Sequence, residues 1–150
     1  MLDGTVLGLC GGTTGLRPLG SIPRRKSDSM RALIVDDSKM VRMILGKLLR
    51  ELEFDVLEAG DGQEAIERLY HGETVDLMLV DWNMPVMDGY ELLCAVRANV
   101  LLSDIKVMMV TTESSIEQVQ KALNAGANEY LMKPFTKELL HEKLQIMGVI

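Results

Sequence analysis

The sequence predicts an α/β fold, one parallel sheet of five strands wound on both faces by helices, and three observations carry that expectation. Ala32 to Val35, Leu77 to Val80 and Val107 to Val110 are continuous apolar runs without polar alternation, the pattern of strands buried on both faces. Between the first two runs, Val41, Ile44, Leu45, Leu48, Leu49 and Leu52 recur at the spacing of a one-sided helix. This strand and helix unit then repeats, five times in a chain of 150 residues. Right-handed crossovers place the helices on both sides of such a sheet, and a barrel of eight units would need far more chain.

The remaining elements follow in order. Asp55 to Glu58 reads as a weaker second strand, and Ala65, Ile66 and Leu69 mark the helix after it. Leu92 and Val96 belong to the third helix, Ile116, Val119 and Leu123 to the fourth, and Leu140, Leu144 and Met147 to the fifth. Ser114 with Glu117 has the spacing of a capping box for the fourth helix, Gly126 suits its exit, and Thr136 is placed to cap the fifth.

Residues 1–29 have a different character. They hold six glycines and two prolines with no hydrophobic period, a composition that cannot offset its own ordering entropy. The expected organisation is a disordered extension over 1–29 and a folded domain over 30–150. Met30 immediately precedes the first regular segment, so a translation start at Met30 is an alternative. Arg24, Arg25 and Lys26 could touch a membrane or RNA, but three charges carry little weight.

Composition narrows the function. Beyond residue 29 there are 12 basic and 20 acidic residues, a net charge of −8, which disfavours a nucleic-acid backbone as partner. Cys10 and Cys94 cannot build a disulfide framework, and neither stands in a metal-binding spacing. No apolar run approaches the roughly 20 residues of a membrane span, and Asp3 stands where a signal peptide would be basic. The expectation is a cytoplasmic protein with no nucleic-acid or membrane partner.

The polar residues that could do chemistry follow the strands. Asp36 and Asp37 come after the first, Asp81 ends the third, Thr111 the fourth, and Lys133 follows the fifth. Carboxyl ends of parallel strands share one edge, where open α/β sheets bind their ligands. Three carboxylates in one place need a cation. Mg²⁺ suits an all-oxygen set, zinc lacks its His or Cys, and with Lys133 the charges sum to zero. A carboxylate beside such an ion can attack phosphorus, and Asp81, alone at its strand tip, is the expected nucleophile. Asp36 and Asp37 read as a metal seat, Thr111 as a hydroxyl donor, and Lys133 as a counter-charge whose bond to Pro134 is a candidate cis peptide. Taken singly, an acid after a strand is more often a cap or turn residue. The set at the ends of four strands is what favours a site.

Val35-Asp36-Asp37-Ser38, then Asp81-Trp82-Asn83-Met84-Pro85 with Met87-Asp88-Gly89, then Val110-Thr111, then Lys133-Pro134-Phe135 resemble the motifs of response-regulator receiver domains, over about Met30 to Ile150. The resemblance implies a flavodoxin-like fold with strand order 2-1-3-4-5. That order is taken over from the general doubly wound pattern, for which chemotaxis regulators are a standard example. It implies phosphorylation of Asp81 by a histidine kinase, with Asp37 binding Mg²⁺ directly, Asp36 mostly through water, and the Asn83 backbone carbonyl completing the protein ligands. Thr111 and Lys133 would hold the phosphoryl group. Tyr130 would be the switch aromatic whose rotamer follows Thr111, altering the face of helix four, strand five and helix five.

The wording around Asp81 and Thr111 is similar to chemotaxis receivers that act on the flagellar motor switch, and the chain stops after the fifth helix, so output by protein contact is expected. Thr112 departs from that type, which commonly has a small alanine there. A shuttle to a histidine phosphotransfer protein is the alternative within the family. Outside it stand an aspartate-nucleophile phosphatase, disfavoured because Asn83 replaces its second acid, and a scaffold without phosphorylation, disfavoured because the pocket is complete.

Overall fold

The computed structural model describes residues 30–112 and 115–150. The expected disordered extension and the Ser114 cap lie outside the described residues, as does Cys10. Five strands, β1 (Arg31–Val35), β2 (Asp55–Ala59), β3 (Leu77–Asp81), β4 (Lys106–Thr111) and β5 (Glu129–Met132), alternate with α1 (Lys39–Glu51), α2 (Gly62–Tyr70), α3 (Gly89–Ala98), α4 (Ile116–Asn124) and α5 (Lys137–Met147). All neighbouring strands pair in parallel, in the order β2-β1-β3-β4-β5.

Side chains alternate across the sheet and divide the core in two. Leu33, Val35, Met78, Val80, Val107 and Met109 face α2, α3 and α4, which contribute Ala65, Ile66, Leu69, Leu92, Leu93, Val96 and Ala122. Ala32, Ile34, Leu77, Leu79, Met108 and Val110 face α1 and α5, through Leu45, Leu49, Leu140, Leu144 and Met147. The central strands are therefore apolar on both faces, as their sequence requires. No helix among the described residues is long and apolar enough to cross a membrane.

Caps set where the helices begin. Ser38, Asp61, Asp88 and Thr136 each accept a bond from a backbone N–H of the first turn, which satisfies a donor the helix itself cannot. Ser115 caps α4, accepting from Gln118 N at 3.1 Å. The apolar stripe expected of α4 is not its buried face: Ala122 is its buried residue, while Ile116 is 74% and Leu123 42% exposed. A small side chain lets the helix approach the sheet and leaves the longer ones outside. Ile44 of α1 is likewise 48% exposed, with Leu45 and Leu49 carrying the contact.

Candidate acidic site

Strand register assembles the site. Val35 pairs with Val80, so the residues after them, Asp36 and Asp81, stand side by side at the carboxyl edge. Asp81 pairs with Val110, which puts Thr111 one step further out, and Thr111 pairs with Met132, just before Lys133. The Lys133 N–H donates to the Thr111 carbonyl at 2.8 Å, and the Lys133–Pro134 peptide bond is cis.

Asp36, Asp37 and Asp81 each offer an oxygen within 4.8 Å of the others. Lys133 Nζ donates to Asp36 Oδ2 at 3.1 Å and lies 3.4 Å from Asp81 Oδ1. Asp36 is buried, and its Oδ1 accepts from the Ser38 N–H at 2.8 Å, so both of its oxygens have protein partners. Asp37 is exposed. Burial, followed by the neighbouring Asp36 carboxylate, holds the Asp81 carboxyl above its ordinary range, with Lys133 opposing them. Such crowding is what a divalent cation relieves.

The structure thus brings Asp36, Asp37, Asp81 and Lys133 into one cluster. Thr111 is buried at the next strand tip, and Asn83 is exposed in the segment following Asp81. Tyr130 stands apart, partly buried among residues on the α4 side of the sheet, with Lys143 Nζ 4.7 Å over its ring. Arg42 was not singled out by the sequence. From α1 its Nη1 donates to the Asp36 carbonyl at 2.5 Å and its Nε to Glu58 Oε1 at 2.9 Å, tying the acidic turn to β2. No sequence signal marks it, because a lone arginine on a helix reads as a solvated residue.

An acidic cluster with one lysine at a strand edge can bind a hard cation through oxygen ligands, and a carboxylate so placed can accept an electrophilic phosphorus. The donor set fits Mg²⁺, since three carboxylate oxygens converge with no nitrogen or sulfur ligand.

Known proteins are similar to this chain in sequence and fold. The model of the response regulator receiver domain matches residues 32–145. A chemotaxis protein CheY homolog of Campylobacter jejuni is 46% identical over 117 residues, covering 77% of this chain and 90% of that protein. Chemotaxis protein CheY of Pseudomonas aeruginosa is 45% identical over 117 residues, covering 77% and 94%. Among solved structures, chemotaxis protein CheY4 of Vibrio cholerae superposes with a TM-score of 0.74 at 35% identity, over 81% of this chain and 99% of that one. The receiver domain of a sensor histidine kinase from Pseudomonas aeruginosa, with a magnesium ion coordinated in its active site cleft, superposes with a TM-score of 0.70 at 28% identity, over 80% and 98%. Fold, acidic cluster and family match agree, and the chain belongs to the response regulator receiver domain family.

Proposed function

We propose that Asp81 accepts a phosphoryl group from a phosphohistidine of a kinase, and that the modified chain signals by altered protein contact in chemotaxis and flagellar motor control. One Asp81 oxygen forms a bond to phosphorus as the phosphorus–nitrogen bond of the donor breaks, and the leaving imidazole takes a proton. The observation that carries this reading is the junction of Asp81 with Asp36, Asp37 and Lys133. In this reading Asp37, Asp81 and the Asn83 carbonyl hold Mg²⁺, with Asp36 acting mostly through water. When bound, the ion supplies positive charge that neutralises the phosphoryl oxygens. Lys133 adds a second positive charge and Thr111 a hydroxyl to the same oxygens.

The output follows from electrostatics. A phosphoryl group adds about one to two negative charges and new acceptor oxygens, which draw Thr111 towards them and open space for Tyr130. The face formed by α4, β5 and α5 then changes for a motor switch protein. The names of the relatives support the chemotaxis role, and cytoplasmic action is part of the same reading. The chain's catalysis is confined to its own phosphorylation and dephosphorylation.

Intact mass measurement after incubation with Mg²⁺ and acetyl phosphate tests the core claim. A single labile phosphoryl adduct on the wild-type chain, absent from Asp81→Asn, is the expected result; no adduct would end the phosphoacceptor reading. Capture by a motor switch peptide, as against a histidine phosphotransfer domain, separates motor output from a relay shuttle.

A further inference from the structure

Trp82 directly follows Asp81, is buried, and is the one tryptophan of the sequence. Its ring stacks on Tyr90 of α3, with centroids 5.7 Å apart and planes at 15°. Lys121 of α4 in turn places its Nζ 4.4 Å from the centre of the Tyr90 ring. Three side chains from three segments thus form one line from the residue beside Asp81 to helix α4.

The backbone reinforces the first half of that line. The Gly89 N–H donates to the Trp82 carbonyl at 2.8 Å, and a Cβ at Gly89 would lie 2.2 Å from the Asp81 carbonyl oxygen. The first turn of α3 therefore rests on the Asp81–Trp82 peptide, and Tyr90 is the next residue in that turn. A change of backbone at Asp81 therefore bears directly on the turn that carries Tyr90. The second half of the line matters because α4 is lightly held. Its buried residue is Ala122, adjacent to Lys121, while Ile116 and Leu123 are exposed. A cation over an aromatic face then adds to what holds this side of the helix.

We propose that Tyr90 and Lys121 are positioning residues that couple the state of Asp81 to helix α4 through Trp82, by a route separate from Thr111 and Tyr130. The proposal rests on the reading of Asp81 as the phosphoacceptor. Coupling of this kind is reciprocal: whatever loosens α4 from Tyr90 is felt at Trp82, and whatever displaces Trp82 is felt by α4.

The test uses the full chain with Lys121→Met, which keeps an apolar stem and removes the charge, Tyr90→Leu, and the pair together. Trp82 fluorescence reads one end and amide hydrogen exchange over α4 reads the other. Lys121→Met should shift the Trp82 emission when Tyr90 is present and leave it unchanged in the Tyr90→Leu background. The exchange response of α4 to acetyl phosphate with Mg²⁺ should shrink about 2- to 5-fold in either variant, the range expected for one cation–π contact, with the phosphoryl adduct still formed by mass. An emission indifferent to Lys121→Met, or an undiminished α4 response on a phosphorylated variant, overturns the coupling and leaves the phosphoacceptor reading standing. Absence of an adduct on the wild-type chain overturns that reading instead. Lys121 is exposed, so its substitution does not endanger the fold.

Discussion

Folding places the Asp81 carboxyl under cover and beside the Asp36 carboxylate, and both circumstances raise its pKa above the ordinary 3.8 despite the opposing Lys133. A group whose pKa is higher in the folded than in the unfolded chain makes the fold bind more protons between the two values, so stability falls as pH rises through that window. Without metal, the penalty is complete at pH values above the raised pKa. Asp81→Asn should therefore melt at a higher temperature than the wild type in a chelator at neutral pH, with the gap closing as pH is lowered towards the ordinary carboxylate value. Thermal unfolding across that range measures it; a gap that widened on acidification would contradict this electrostatic account. Val86, five residues on, carries a different strain. Its φ is 69° and the Met87 N–H donates to the Pro85 carbonyl at 2.7 Å, a tight turn that a β-branched residue adopts at a cost of about 1–2 kcal/mol. The side chain is 80% exposed, so little packing is at stake. Val86→Asn should raise stability by about 1 kcal/mol, seen as a higher urea midpoint at unchanged slope. A lower midpoint would mean that the valine makes a contact worth more than the turn costs.

Helix α3 shows how one element is fixed at both ends. Its start is pressed on the Asp81–Trp82 peptide, and its last turn carries Arg97, which donates to the Gly126 carbonyl at 2.9 Å, the Ile105 carbonyl at 2.7 Å, the Ser103 carbonyl at 3.0 Å and Asn128 Oδ1 at 2.9 Å. One guanidinium thus ties α3 to the approach to β4 and the exit of α4, and burial lowers its pKa. Arg97→Met would keep the stem and leave partly buried carbonyls without their donor. The expected loss is roughly 2–4 kcal/mol, measured by denaturant unfolding, with phosphoryl uptake retained. A loss below about 0.5 kcal/mol would show that water replaces the guanidinium freely. Helices differed in how far their sequence announced them. The fifth is legible down to Leu140, Leu144, Met147 and the Thr136 cap, because its apolar period coincides with its contact face. In α4 the period and the face disagree, since Ala122 makes the close approach and Ile116 points outward.

The molecule as a whole joins a sheet legible from sequence to a site that was only partly so. Runs such as Leu77 to Val80 announced buried strands because a strand covered on both faces admits no polar alternation. Once strands are parallel, the residues ending them share one edge, which is why the sequence alone groups Asp36, Asp81, Thr111 and Lys133. Contacts that depend on how helices lean on one another left no such trace. Arg42 on the Asp36 carbonyl, and Lys121 over Tyr90, join residues whose own sequence surroundings are unremarkable.

If the junction of Asp36, Asp37 and Asp81 holds Mg²⁺ as proposed, the stability of the entire domain should respond to the ion. A ligand that binds the folded chain and not the unfolded one stabilises it by an amount set by its concentration relative to Kd, about 2.7 kcal/mol at a hundredfold excess. Because Asp36 and Asp37 follow β1 while Asp81 ends β3, more than forty residues on, the three oxygens within 4.8 Å of one another exist as a set only in the fold, so Mg²⁺ should raise the melting temperature by several degrees and a chelator should reverse it. Asp37 gives the cleanest control. It is exposed, so Asp37→Ala costs the metal-free fold little and removes one of three like charges, yet it takes a carboxylate from the cation. Its melting temperature should match or exceed that of the wild type in chelator and should no longer respond to millimolar Mg²⁺. The response should also weaken as pH falls, beginning above the ordinary carboxylate range, because in the proposed site a proton on Asp81 would compete with the metal for the same oxygen and is held there more tightly than usual. If the wild-type chain melted at one temperature with and without Mg²⁺, the converging carboxylates would have to be explained by Lys133 and Ser38 alone.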